Sequence, residues 1–210
     1  CVAAAVGAVG GRHEDALARP VTEPRLGAVL DLVRRQSTQV RGAMEGTMLR
    51  NEIYNFARMG SFIERADNTA RILDVKYYVL LPSVSYVGSS LDNVQWENVL
   101  RSVAGERAYR WLNAGRMDPR GIAEFLILDG RFPRSLAFCY SKLRSNLASL
   151  AREYGNEMHA HEILRNADTQ FHTATIEGIF EQGLHEFIGQ FIRANTALAL
   201  QIQRDYRFTE

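Results

Sequence analysis

Along this chain apolar residues return at three- and four-residue intervals, the repeat of a helix with one buried face, and nowhere alternate for more than a few residues as a half-buried strand does. From Leu26 to about Ala43 the set Leu26, Val29, Leu30, Val33 and Val40 recurs at that spacing, with Arg34, Arg35 and Arg41 turned away. The pattern predicts an amphipathic helix that stops near Gly42 or Gly46. Thr47 then has the chemistry of an N-cap, because its hydroxyl accepts from the free amides of a first helical turn. Between Thr47 and Pro82 only Gly60 weakens a helix, and Phe56, Met59, Ile63, Ala66, Ala70, Leu73, Tyr77 and Leu80 keep one side apolar. A helix of that span is about 50 Å long.

The turn-rich PSVSYVGSSL at 82–91 predicts a loop. Shorter helices follow over 93–103, 105–113 and 119–128, the last opened by Pro119. Asp129, Gly130 and Pro133 interrupt the pattern before a longer helix over 134–154, closed by Gly155. The apolar repeat from Ala160 to Tyr206 predicts two helices, the final one of about 30 residues. Residues 1–25, rich in Gly and Ala and then broken by Pro20 and Pro24, predict a weakly ordered lead-in to a helical domain at 26–210. The fold class is all-α: an elongated antiparallel bundle of long helices, with short crossing helices between residues 92 and 128.

Charge then narrows the function. The net charge of +1 lacks the basic excess of a dedicated nucleic-acid surface, so no nucleic-acid partner is expected. No apolar run approaches the roughly 20 residues needed to span a bilayer, and no membrane partner is expected either. The two cysteines, Cys1 and Cys139, form no zinc pattern and fit a reduced, cytoplasmic chain. Basic residues are almost all arginine, much of it beside acids within helices, which points first to internal ion pairs.

Within the predicted long helix, FIERADNTARILDVKYYVLLP places Glu64, Asp67, Arg71 and Asp74 in one stripe next to the apolar line, with Arg65 beside it and Tyr78 extending it. A stripe at that border lies at a helix–helix seam. It serves either as an ion-pair lock, with Asp67 and Arg71 bonded one turn apart, or as a binding surface. Arginines closing over Glu64 and Asp67 are expected. DGRFPRS at 129–135 gathers Arg131 and Arg134 at a helix start, where free amides favour an anion or a capping residue. Glu177, Glu181 and His185 form a column that faces the stripe if the last helix packs there, but the chain lacks the Glu-x-x-His spacing of metal-carboxylate bundles, and no metal or cofactor is assigned. His159 and His161 read as surface histidines. Ser135 and Cys139 are nucleophiles in principle; Cys139, beside Phe138 on an apolar face, reads as core.

Several blocks in order, GTMLRNEIYNFARMGSFIERADNTARILDVKYYVLLP, LDNVQWENVLRSV, AYRW, AEFLILDGRFPRSLAFCY and GLHEFIGQFI, resemble the bacterial Alpha-E domain family over about residues 26–208. Members are typically about half as long again and begin with an earlier copy of the E-R-A-E-N-T-A-R-like helix, so the resemblance implies that the N-terminal part is lacking here. It further implies an all-α protein encoded beside, or fused to, circularly permuted ATP-grasp proteins and transglutaminase-like proteins that make or process peptide or amide bonds. The family's glutamate signature maps to Glu64, with Arg65, Asp67 and Arg71 beside it. The expectation is a helical accessory or scaffold module. It binds a circularly permuted ATP-grasp protein or a peptide substrate through Glu64, Arg65, Asp67, Arg71, Asp74, Arg131 and Arg134. The alternative is a carboxylate- or metal-dependent enzyme acting on peptide or amide bonds, with Glu64 and Asp67 as its acids.

Overall fold

The computed structural model describes residues 20–78 and 90–208. Among these the backbone forms nine α-helices and no strand, so the architecture is all-α. The predicted loop at 82–91 falls almost wholly outside the described residues, as do Cys1, the first part of the lead-in and the side chain of Tyr78. The chain divides into two compact units, residues 1–54 and 55–210.

In the first unit, α1 (Glu23–Thr47) begins before Leu26 because Pro24 suits a first turn, where no amide hydrogen is needed. It also runs through Gly42 and Gly46. A glycine costs a helix only about 1 kcal/mol relative to alanine, too little to end one whose flanks continue it. Thr47 therefore closes α1 instead of capping α2: its hydroxyl donates to the Ala43 carbonyl at 2.7 Å. The cap of α2 (Glu52–Tyr78) is Asn51, whose Oδ1 accepts from the Tyr54 amide at 3.2 Å. Glu45 clasps this turn, accepting from the Tyr54 hydroxyl at 2.8 Å and pairing with Arg50, whose guanidinium lies over the Tyr54 ring.

From Asn55 onward α2 belongs to the second unit, which holds the core. Its inward line is Met59, Phe62, Ala66, Ala70 and Leu73, all essentially inaccessible to water; Phe62 takes the place predicted for Ile63, which is half-buried. The line continues into Lys76, a residue to which the apolar repeat assigns no role. Its ammonium donates to Asp92 Oδ1 at 2.5 Å and Gln95 Oε1 at 2.9 Å and stands 5.4 Å from the centre of the Trp96 ring. Asp92, Gln95 and Trp96 belong to α3 (Ser90–Ser102), so a buried ion pair joins these ends of α2 and α3.

Short helices α4 (Glu106–Leu112) and α5 (Pro119–Ile127) follow, in the region where crossing helices are predicted. Asp118 caps α5 by accepting from the Gly121 amide. Helix α6 (Leu136–Tyr154) ends at Gly155, whose φ of +76° is the left-handed conformation that glycine adopts without strain. The predicted pair of C-terminal helices is instead three: α7 (His159–Thr173), α8 (Ile176–Gln182) and α9 (Leu184–Asp205). Gly183, at φ +100°, separates α8 from α9. The break is hidden in the sequence because Ile179 and Leu184, on either side of it, are both core residues and keep the apolar repeat intact.

Helix α6 packs on α7, α9 packs on both α7 and α8, and α5 touches α3, α6 and α8. One buried amide ties three helices together: the Tyr140 hydroxyl on α6 donates to Asn195 Oδ1 on α9 at 3.3 Å, and Asn195 Nδ2 donates to the Ile63 carbonyl on α2 at 3.1 Å. The surface reading of His161 is corrected here. Its ring is buried, with Nδ1 accepting from the Met158 amide at 2.9 Å and Nε2 placed to donate to the Leu147 carbonyl at 2.9 Å, so one neutral tautomer satisfies both bonds. His159 is exposed.

Candidate functional site

The charged stripe of α2 resolves into separate arrangements. Asp67 and Arg71 close on one another, Nε to Oδ2 at 2.7 Å and Nη2 to Oδ1 at 3.2 Å, the two-pronged bond that the spacing predicts. Asp74 reaches a different helix, its Oδ1 lying 2.6 Å from Nδ1 of His185. His185 occupies the first turn of α9, immediately after the Gly183 break. The predicted column is therefore divided: His185 meets the stripe, while Glu177 and Glu181 lie exposed on α8. Glu64 is exposed and has no hydrogen-bond or ion-pair partner among the described residues, so the expected closure by arginine holds for Asp67 alone. Arg65 turns toward the segment before α6, donating to the Pro133 carbonyl at 3.0 Å with its guanidinium against the Phe62 ring.

Arg131 and Arg134, three positions apart, part company. Arg131 holds Asp129 by two side-chain bonds, 2.7 and 3.1 Å, and its amide donates to the same carboxylate. The Arg131 hydrogen bond, aided by amides, draws the Asp129 carboxyl below its ordinary value. Both residues line a cleft with Glu124 and Phe125. The helix start at α6 is occupied by capping: Ser135 Oγ accepts from the Phe138 amide and donates to the Asp129 carbonyl. That hydroxyl is spoken for, and Cys139 is sealed in the core, where burial pushes its thiol up to about 12 and keeps it protonated at neutral pH.

Arg134 instead shares an open cleft of about 450 Å³ with Arg71. Asn68, Arg71, Ile72 and Val75 form its α2 wall, at the i, i+3, i+4, i+7 positions of one helix face. Asn98, Val99 and Ser102 form the α3 wall. Asp67 offsets the charge of Arg71, but Arg134, half-buried, has no hydrogen-bond or ion-pair partner among the described residues. The cleft thus presents one unneutralised guanidinium, a second guanidinium already oriented, two amide side chains and an aliphatic floor. The stripe predicts Arg71. The α3 wall was not foreseen: Asn98 and Ser102 sit on a helix that also carries Asp92, Asn93, Gln95, Glu97 and Arg101, so nothing in the sequence singles them out.

Across the turn between α3 and α4, Glu97, Arg101, Glu106 and Arg110 form a closed lattice in which each acid meets both arginines, at 2.6 to 3.0 Å. Hydrogen bonding to Arg101 leads in lowering the Glu106 carboxyl below its usual range. Among the described residues no group of three His, Cys, Asp or Glu side chains is placed to hold a metal ion, and no helix is long and apolar enough to cross a membrane.

These features define an all-α module with a polar cleft on a helix seam and a sealed thiol in its core. The chain belongs to the Alpha-E family, whose model, described as a predicted alpha-helical domain with a conserved ER motif, matches residues 9–206. Glu-Arg occurs twice in the sequence, at Glu64-Arg65 on the stripe and at Glu106-Arg107 at the start of α4. No curated protein and no solved structure matches the chain.

Proposed function

We propose that this Alpha-E chain is a helical accessory module of an ATP-grasp amide- or peptide-ligase type system, docking a carboxylate-bearing segment of its partner or peptide substrate between Arg71 and Arg134. The ligase system is what the family resemblance implies; the docking point rests on the unpartnered Arg134 at the mouth of the cleft. A guanidinium presents paired donors that match both oxygens of a carboxylate. Asn68 and Asn98 supply amides for an adjoining peptide bond, and Ile72, Val75 and Val99 supply an apolar bed for its side chain. The rest of the predicted surface takes lesser parts in this reading: Asp67 orients Arg71, while Glu64 stands exposed at the rim of the stripe.

The test is a pull-down with the cognate circularly permuted ATP-grasp protein, comparing wild type with Arg134→Ala and Arg71→Ala. Each substitution is expected to weaken capture at least tenfold, about 1.4 kcal/mol. An exposed i,i+4 pair contributes only about 0.2–0.5 kcal/mol to a helix, so lost capture by Arg71→Ala does not come from unfolding. Undiminished capture by both variants removes the cleft from the interface.

One observation favours an enzymatic reading, though not with Glu64 and Asp67 as its acids: the Asp74–His185 pair, an imidazole oriented by a carboxylate as in a general base. In that reading His185→Gln abolishes turnover of the ligase system while leaving capture intact. Full turnover by that variant discards it.

A further inference from the structure

We infer that the outer face of α4 is a second docking surface, built around Trp111, for an acidic segment of a partner protein. Tyr109 anchors α4 to the core at 1% exposure. Arg107 and Trp111 each lie two residues from it, about 200° around the helix, and so share the face turned outward. Trp111 is 83% exposed, more than any other large apolar side chain among the described residues. An indole carries some 150–250 Å² of surface whose removal from water stabilises a complex, and Trp and Arg are the residues most enriched at energetic centres of interfaces. The same fold buries its other tryptophan, Trp96, to 3%.

The charges around Trp111 specify the partner. Arg110 and Arg101 are consumed by Glu97 and Glu106 in the closed lattice, and the Asp118 carboxylate is engaged as the cap of α5. Arg107 and Arg116 are exposed, with no ion-pair partner among the described residues. Arg116 follows the tight reversal at Ala114 and Gly115, whose φ values are +48° and +80°. Half-buried Leu112 and Met117 flank that reversal and extend the apolar surface. Two free guanidinium groups beside one indole match carboxylates flanking an apolar side chain. A second copy of this face would set arginine against arginine. A nucleic-acid strand is held by a run of unpaired cations, and the lattice of Glu97, Arg101, Glu106 and Arg110 beside this face is charge-balanced. A membrane surface is met by longer amphipathic helices than the seven residues of α4.

Trp111 is its own reporter. Trp96 is shielded, so iodide quenching of the folded protein reads Trp111, and occupation of the face protects it. The probes are a synthetic peptide of alternating Glu and Leu, its Gln-for-Glu counterpart, a single-stranded thymidine oligonucleotide and phosphatidylglycerol vesicles. Saturable protection by the Glu peptide alone is expected. Its affinity falls at least tenfold in Arg107→Glu/Arg116→Glu, a surface variant whose fold is checked by circular dichroism, and is unchanged in Arg134→Ala. No protection by the Glu peptide, equal protection by the Gln peptide, preferential protection by the oligonucleotide or vesicles, or indifference to the charge reversal each overturns the proposal. Protection that rises with protein concentration without any probe assigns the face to self-association and overturns it as well.

Discussion

Replacing Lys76 by methionine strips Asp92 of a cation that stands 2.5 Å away in a site where the two side chains are only 1% and 4% exposed. At an effective dielectric constant of about 20, charges that close attract by roughly 7 kcal/mol. Desolvating each ion costs several kcal/mol, so the intact pair contributes little net stability against an apolar substitute. The imbalance appears when one partner is removed, because the remaining buried charge keeps its desolvation cost without its attraction. Lys76→Met is therefore expected to destabilise the fold by about 3–5 kcal/mol, and Asp92→Asn by a similar amount. Gln95 stays beside the ammonium but carries no charge. The double substitution leaves no uncompensated ion and should cost less than the sum of the singles, with a coupling of at least about 2–3 kcal/mol. Urea unfolding of the four proteins, followed by circular dichroism with the slopes held equal, gives the cycle directly. For a chain of this size a 4 kcal/mol loss also lowers the melting temperature by roughly 8–16 °C. Single substitutions costing under about 1 kcal/mol each, or strict additivity, would show that water reaches the pair and that the reasoning from burial is wrong.

Two further expectations concern titrating groups. Because Arg131 holds the Asp129 carboxyl below its ordinary value, the folded state binds a proton there less readily than the unfolded chain. The resulting stability is present above the unfolded carboxyl value and is lost as pH falls through the folded one. With Arg131 74% exposed, solvent screening keeps the contribution under about 1 kcal/mol. The urea midpoint of Arg131→Ala should trail wild type at neutral pH and converge with it at pH values below the carboxylate range; a gap that does not narrow refutes the linkage. Cys139, its thiol pushed up to about 12 by burial, should react with Ellman's reagent in a Cys1→Ser background only after urea unfolds the protein. Prompt reaction in the native state would place the thiol outside the core.

The helical class was legible because every core helix carries its own repeat, and two helix ends were legible from local chemistry: Pro119 in the first turn of α5, and Gly155 after α6. Where two residues offered the same chemistry, local reading failed. Thr47 and Asn51 both suit an N-cap, and only the finished turn around Glu45 and Tyr54 selects Asn51. Site geometry was legible within a helix and obscure between helices. The Asp67–Arg71 bond follows from i,i+4 spacing, whereas the divergence of Arg131 from Arg134 depends on Asp129 capturing one of them. Lys76 stood on the register of Leu73 and Phe62 all along. Its partner lies on another helix, and a lone lysine at a helix border reads as solvated until that partner is placed.

The sealing of Lys76 has a chemical consequence, since the sequence contains only one other lysine, Lys142. That residue is half-buried on α6, with its ammonium 5.1 Å from the centre of the Phe138 ring. In the folded protein, reagents or enzymes that seek side-chain amines, whether to acylate them or to forge an isopeptide link, therefore find a single address. A surface otherwise crowded with cations is nearly blank to such chemistry, because its positive charge is carried by guanidinium groups.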